Sequence, residues 1–406
     1  MRIVRLDDGL LDHGRACFAP HKEQHREIEW SDWRAHVKLH NLPRPLHQAT
    51  KPGPTQPVAP SAGDAKTLPC RNPRLTAADI LAAAAVPIAQ AIPDQIPGAV
   101  LGVVTTTGDR AVEVFGLAQR EPDPAPMHRT TWFDLASLTK VLFTTPTILH
   151  LVSAGRIALD DPLASVIPDL RQYHRDAAER RLTFRQCLSH QTHLPAVEPL
   201  YTYGLDPNTL RAFILQRVWQ PGPPVYSDIN FMLLGIAIER MQGSALADLA
   251  PPDGFTWHPD ASATAATERC TWRGRVMRGE VHDENAFALG GAAGHAGLFG
   301  TIDGVLDAAQ RLLQGVDPWL PELRARQTAT RCLGWEARHE GWSGGNACSV
   351  ETIGHTGFTG TGLWIDFARG LAWALLTNRV HPTRHRDTGI DTLRRKVGNL
   401  VAGQAS

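Results

Sequence analysis

The sequence predicts an α+β fold: one antiparallel sheet flanked by helices, with a mostly helical subdomain inserted between its strands. Three observations predict it. Strand-like apolar runs stand near residue 100 and again near residue 370. Each run contains a glycine-bearing turn that would fold it into an antiparallel pair. Between them, residues 160–290 read as short helices and loops with many proline breaks. Strands at both ends with helices between them make one sheet from distant segments.

The elements follow in order. Residues 1–75 are rich in His, Arg and Pro and end in "TKPGPTQPVAPSAGDAK", which reads as a linker or disordered segment. They carry no catalytic motif, so an unstructured extension is expected there and a globular domain over 76–406. "LTAADILAAAAVPIAQAI" reads as a helix with Thr76 near its N-cap. "GAVLGVVTTTGDRAVEVFGLAQ" reads as two strands around a glycine-containing turn. A helix is expected from about 137, "SLTKVLFTTPTILHLVSAG", closing on Gly155. "GLWIDFARGLAWALLTNRV" reads as a hairpin around Ala368-Arg369-Gly370. A last helix is expected over about 387–401. No internal repeat is visible.

Composition excludes several classes. The 406 residues carry 41 basic and 41 acidic side chains, a formal charge of zero. A nucleic-acid binder usually shows a basic surplus. No apolar run reaches the roughly 20 residues that span a bilayer. The N-terminus "MRIVRLDDGLLDHG" lacks the apolar core of a secretory signal. A cytoplasmic protein is therefore expected, or a periplasmic one if translation starts further along, since "ILAAAAVPIAQAI" could mimic a signal. Cys17, Cys70, Cys187, Cys270, Cys332 and Cys348 form no CxxC pair and read as free thiols. His21 and His25 have i,i+4 spacing but no carboxylate completes a metal motif. No metal and no cofactor are expected. The expected partner is a small-molecule or peptide substrate, and the sequence carries no signal of oligomeric state.

The chemistry starts from one residue. Lys140, in "FDLASLTK", is the only lysine between residues 67 and 395 of a chain whose cations are mostly arginine. On a helix it shares a face with Ser137, three residues earlier. A serine hydroxyl needs a nearby group to take its proton before it attacks. Arginine stays protonated, whereas a desolvated lysine can lose its charge. A helix N-terminus would also favour the negative charge developing on the serine. Against this stands the common alternative of a lysine whose stem merely covers apolar surface.

Two further stretches could join the pair. "PGPPVYSDINFMLLGIAIER" places Tyr226, with Ser227 and Asp228, between a Pro/Gly loop and an apolar helix. A loop tyrosine there can share protons with a lysine or serine, or simply sit half-buried against backbone. "IGHTGFTGTGLWID" puts His355, Thr356 and Gly357 at the start of a strand. Gly357 would let a ligand or another backbone approach. The Phe358 and Ser137 amides could together form an oxyanion hole.

Ser-x-x-Lys, then Tyr-Ser-Asp, then His-Thr-Gly, in this order, resembles the penicillin-recognising serine hydrolases: class C β-lactamases, DD-peptidases and related esterases. "LTFRQCLSHQTHLPA" and "VHDENAFALGGAAGHAGLFGTIDGV" are similar to further segments of that family. The resemblance covers about residues 76–400 and implies the β-lactamase/transpeptidase-like fold. It implies Ser137 as the acylated nucleophile, with Lys140 and Tyr226 sharing the general-base work. Asp228 would stand where an asparagine orients substrate and lysine. His355 would stand where a lysine usually faces the substrate carboxylate, and Thr356 would help bind it. The Ser137 and Phe358 amides would hold the oxyanion.

Three departures from the family pattern bear on function. Asp228 brings a charge that could keep Lys140 protonated and shift base work to Tyr226. His355 offers at most a pH-dependent charge for a carboxylate. His193 stands where the family usually has glycine. The expected function is a serine hydrolase that cleaves an amide or ester, in a cell-wall-derived peptide or a small ester, through an acyl-enzyme. The alternative is a non-catalytic ligand-binding or sensor module on the same fold; such a module would be expected to lose Ser137 or Lys140.

Overall fold

The structure is a computed structural model that describes residues 75–404. The expected extension up to residue 74, the His21/His25 pair, Cys17 and Cys70 lie outside the described residues.

Strands and helices follow the expected order. The first group is α1 (Ala77–Ala91), β1 (Gly98–Thr105), β2 (Arg110–Gln119), β3 (Ala125–Pro126) and β4 (Phe133–Asp134). The middle holds α2 (Thr145–Ser153), α3 (Phe184–Leu188), α4 (Pro207–Gln216) and α5 (Asp228–Gln242). Then come β5 (Phe255–Thr256), β6 (Arg269–Cys270), β7 (Arg275–Val276), α6 (Glu284–Ala288) and β8 (Phe299–Gly300). The last group is α7 (Ile302–Gln314), α8 (Leu320–Arg324), β9 (Glu336–Ala337), β10 (Ile353–Thr356), β11 (Gly362–Asp366), β12 (Leu371–Thr377) and α9 (Ile390–Gln404).

The main sheet runs β3-β2-β1-β12-β11-β10-β9. Its centre is the antiparallel pairing of β1 with β12, from Ala99 opposite Thr377 to Thr105 opposite Leu371. The two distant apolar runs therefore do build one sheet. β1 and β12 are covered on both faces, which is why they read as continuous apolar runs rather than as alternation. Ala99, Leu101 and Val103 of β1 join Trp373 and Leu375 of β12 in a cluster with α1 and α9. Val100 and Val104 turn the other way, into the larger cluster that contains α7 and the inserted part. Gly102 lies under α7, where a Cβ would come within 2.8 Å of the Leu306 side chain.

Local signals account for the ends. Thr76 caps α1 through a capping box: its hydroxyl accepts from the Asp79 amide at 3.2 Å, and Asp79 accepts from the Thr76 amide at 2.9 Å. The β11–β12 turn spans the predicted Ala368-Arg369-Gly370, with Gly370 at φ +63°. Ile229 through Ile238 of α5 are buried and, apart from Asn230, apolar, as expected of a helix inside the core. Gly243, left-handed at φ +70°, ends it.

The inserted part is mostly short helices and loops. It also contributes β5, β6 and β7, which the sequence reading did not separate from loop. They pair only two residues at a time, so no period could betray them. Cys187, Cys270, Cys332 and Cys348 are buried free thiols. No helix among the described residues is long and apolar enough to cross a membrane.

Candidate active site

The expected helix from 137 takes a different form. Ala136–Leu138 make one turn of 3-10 helix, Lys140–Thr144 a turn of π-helix, and only then does α2 begin. Ser137 is therefore not at the N-terminus of a regular α-helix. It sits on a tight turn whose preceding residue, Ala136, is left-handed at φ +48°. That conformation costs free energy for a residue with a Cβ and persists only where neighbours hold it. Asp134 holds it here. Its carboxylate, buried, accepts from the Ala136 amide at 2.8 Å and from the His282 amide at 2.6 Å. Burial still leaves the Asp134 carboxyl above its ordinary pKa.

The turn nevertheless delivers the expected pair. Lys140 Nζ donates to Ser137 Oγ at 2.8 Å and to the His295 carbonyl at 3.0 Å, and forms an ion pair with Asp228 Oδ1 at 2.9 Å. The lysine is fully buried. Burial alone would lower its pKa, but Asp228 and Tyr226 outweigh that and hold it above the ordinary lysine value. Lys140 is thus an ammonium at neutral pH, hydrogen-bonded to two acceptors and ion-paired with a carboxylate. The reading of a surface-covering lysine fails.

Tyr226 and Asp228 reach the pair from the start of α5. Lys140 Nζ lies 5.1 Å from the Tyr226 ring centroid and 5.7 Å from that of Phe231. The approach to α5 is tied to the 190–196 loop. The Asp228 amide donates to the Ala196 carbonyl at 2.9 Å, and the Ser227 hydroxyl to the Pro195 carbonyl at 2.6 Å. The Ser227 amide donates to His190 Nδ1 at 3.1 Å, and the His190 ring packs on Tyr226 with centroids 4.5 Å apart.

His355, Thr356 and Gly357 end β10 beside the same turn. The His355 and Tyr226 ring centroids are 5.9 Å apart. His355 Nδ1 lies 3.0 Å from the Thr356 carbonyl, which can only accept, so Nδ1 carries the proton. Burial first, then Lys140 and Arg331, push the His355 pKa well below its ordinary value. The pH-dependent charge that the sequence allowed for His355 is therefore not available near neutrality. Gly357 is required by space: a Cβ there would fall 2.2 Å from Thr361 Oγ1, 2.5 Å from the Leu135 carbonyl and 3.3 Å from the Ala136 Cβ. The end of β10 thus lies directly against the turn that carries Ser137. Arg394 of α9 braces it from behind, donating to the Gly357 and Thr361 carbonyls at 2.9 and 2.7 Å. Burial draws the Arg394 pKa down to about 10. Phe358 is half-exposed, with its ring against His282 and Arg379.

All eight residues singled out from the sequence stand in this one region. Others were missed. His190 is buried and left-handed at φ +56°, and burial, Arg331, Lys140 and His355 keep it neutral. His193, the departure from glycine, is not among the positive-φ residues; the unusual backbone lies three residues earlier. His295 is buried and its Nε2 lies 2.9 Å from Asp283 Oδ1, which fixes the loop whose carbonyl receives Lys140. Asp283 is drawn below the ordinary carboxylate range, with His295 overcoming the burial that would raise it. Both lie in the "VHDENAFALGGAAGHAGLF" segment, so only the pairing of His and Asp within it could have pointed to them. Arg331, with its guanidinium carbon 5.3 Å from the Tyr226 ring centroid, carried no sequence signal.

Comparison with known proteins places the chain in a family. The family model described as Beta-lactamase matches residues 87–396. The chain is 30% identical over 342 residues to an N-acetylmuramyl-L-alanine amidase of Bacillus subtilis (strain 168), covering 70% of this chain and 78% of that one. It is 29% identical over 303 residues to a putative D-alanyl-D-alanine carboxypeptidase of Escherichia coli (strain K12), covering 62% and 70%. Its fold superposes on that of a beta-lactamase from Sulfitobacter sp. EE-36 with a TM-score of 0.62, at 19% identity, over 81% of this chain and 99% of that one. The chain belongs to the beta-lactamase family and is a serine hydrolase.

Proposed function

We propose that the protein hydrolyses an amide or ester through an acyl-enzyme on Ser137, and that its substrate is a cell-wall-derived peptide. The observation that carries the reading is the 2.8 Å hydrogen bond from buried Lys140 to Ser137 Oγ. Because Lys140 donates in that bond, the Ser137 proton is free to leave toward another acceptor. Because Asp228 keeps Lys140 charged, the lysine cannot take that proton itself in the resting site. Tyr226 takes it as a phenolate that the neighbouring ammonium stabilises, and becomes the neutral phenol.

The steps balance simply. Ser137 Oγ attacks the acyl carbon while its O–H bond breaks toward Tyr226. Tyr226 then gives the proton to the departing amine or alcohol, and water releases the acyl group by the reverse path. The amides of Ser137 and Phe358 receive the oxyanion. The support for that role is the close approach of Gly357 to Leu135 and Ala136. Thr356 contacts the bound substrate.

The names of the relatives, an amidase of muramyl-L-alanine bonds and a D-alanyl-D-alanine carboxypeptidase, favour the cell-wall peptide over the small ester. The test is release of products from muramyl peptides and from acyl-D-alanyl-D-alanine, alongside p-nitrophenyl acetate, by wild type and Ser137→Ala. The expected loss in the variant is on the order of 10³-fold or more for every substrate that is turned over. Retained turnover by a folded Ser137→Ala would remove Ser137 as the nucleophile.

A further inference from the structure

Arg394 lies on α9, a helix whose Leu393, Val397 and Val401 pack into the apolar cluster on the sheet. Its side chain is only 6% exposed. A guanidinium in such a place is unfavourable, because burial removes the water that a charge prefers. One carboxylate meets it: Nη1 donates to Asp391 Oδ1 at 3.1 Å, and the Asp391 side chain is itself nearly half exposed. Nε finds no hydrogen-bond partner among the described residues. Nη2 is directed at backbone, donating to the Gly357 carbonyl at 2.9 Å and to the Thr361 carbonyl at 2.7 Å.

Those two carbonyls do not need a buried cation to be satisfied. The Thr361 carbonyl also accepts from the Gly357 amide at 2.8 Å, and the Gly357 carbonyl from the Gly360 amide at 3.1 Å. The turn after β10 is therefore closed by its own backbone. What the arginine adds is a charge on one particular peptide unit.

That unit joins Gly357 to Phe358. It is not among the cis bonds of the chain, so its C=O and N–H point in opposite directions within one rigid plane. A guanidinium that holds the Gly357 carbonyl toward α9 thereby turns the Phe358 N–H away from α9. The Phe358 amide donates to no acceptor among the described residues. Gly357 itself lies against the serine turn, where a Cβ would come within 2.5 Å of the Leu135 carbonyl. The next peptide plane is held as well: Arg379 Nε donates to the Phe358 carbonyl at 2.9 Å, and the Thr359 hydroxyl donates to the Asp134 carbonyl at 2.7 Å. A positive charge on a carbonyl also strengthens the N–H at the other end of the same peptide as a donor.

We propose that Arg394 is a positioning residue for the oxyanion: through the Gly357–Phe358 peptide it aims and polarises the Phe358 N–H toward the acyl oxygen. The proposal rests on the acyl-enzyme reading above and adds the side chain that sets one of its two oxyanion donors.

Two substrates with the same leaving group test it: p-nitrophenyl acetate and O-p-nitrophenyl thionoacetate, in which sulfur replaces the carbonyl oxygen. Sulfur is a weak hydrogen-bond acceptor, so the thiono ester gains little from an oxyanion donor. The readout is the ratio of kcat/KM for the acetate over the thionoacetate in wild type, Arg394→Met and Arg394→Lys, each checked by its thermal melt. In Arg394→Met, kcat on the acetate is expected to fall by about 10- to 100-fold with KM little changed, less than the loss of a whole donor. The thionoacetate should lose much less, so the ratio should drop by about tenfold. In Arg394→Lys a compact ammonium replaces the fork, so the ratio should drop by a smaller factor. This variant carries the test if Arg394→Met does not fold. A ratio equal to that of wild type in a variant that folds would overturn the proposal, because equal losses on both esters would make the arginine a support for the turn alone. Acetate turnover surviving in Ser137→Ala would instead strike the nucleophile, while the ratio would still read Arg394.

Discussion

In the proposed mechanism Lys140 is the residue on which the chemistry turns, and its environment makes a prediction with a sign. Its pKa is raised, so the ammonium persists up to and beyond the ordinary lysine value of 10.5 and is lost only as pH rises through the shifted value. The mechanism needs that ammonium next to Tyr226, so turnover should have a basic limb. Asp228→Asn removes the main cause of the upward shift, and the basic limb of kcat should move to lower pH. A pH–rate profile of the two proteins on a neutral ester checks this; an acid limb tracking Lys140 would make the lysine the base instead. Lys140→Arg keeps the charge but cannot reproduce the three-way contact of a compact ammonium. It should cost on the order of 10²–10⁴-fold in kcat.

His190 and His355 predict a different pH effect, on stability. Both have folded-state pKa values well below the ordinary 6.5, so below about that pH the unfolded chain binds protons that the folded chain refuses. Their neutral burial is fully tolerated above pH 6.5 and becomes destabilising as pH falls from there. The slope is at most about 1.4 kcal/mol per group per pH unit. Thermal melts between pH 7.5 and 5 should show this fall, and His190→Gln should make it shallower. A melting temperature level across that range would contradict the buried neutral pair.

At the scale of elements, the meeting of β10 with the serine turn sets the geometry. Gly357→Ala would place a methyl 2.5 Å from the Leu135 carbonyl, and a backbone oxygen held in a turn cannot swing aside as a flexible side chain can. The strand end must lift away from Ser137. The expected results are a loss of about 1–3 kcal/mol in stability and a fall in acylation rate larger than that loss explains. Full acylation with an unchanged melt would mean that the contact is not needed.

Much at this scale was legible because it is local. The capping box at Thr76 and the glycine turns of both hairpins are written in neighbouring residues. The turn around Ser137 was not. Its left-handed Ala136 and the π-turn that follows are imposed by Asp134, the His282 amide and the β8 strand packed beside it, and no residue propensity signals them. The Ser137–Lys140 contact survived that error because three-residue spacing brings side chains together in a tight turn as well as in an α-helix.

At the scale of the molecule, β1 and β12 join the two ends of the domain, and α7 and α9 clamp the joint sheet from its two faces. The serine turn, α5 and β10 then meet at one point although they come from distant parts of the chain. Their order in sequence was readable as motifs; their neighbours were not. Arg331 reaches the Tyr226 ring only through the path of the backbone, so its place in the sequence carries no signal of that contact, whereas His295 and Asp283 are paired within one segment. The family match begins at residue 87, and the described residues, core and sheet included, lie from residue 75 onward. We propose that a chain starting at residue 75 folds and reacts like the full one. A marked loss of ester turnover in that shortened chain would assign the preceding residues a part in the enzyme.

The central claim is that Ser137 is an activated nucleophile, and intact-mass labelling with a fluorophosphonate tests it most directly. Wild type should gain one adduct, mapped by peptide digestion to the segment holding Ser137, and Ser137→Ala should gain none while melting like wild type. A wild-type protein that folds yet stays unlabelled, or a Ser137→Ala variant that labels as fast, would contradict the account.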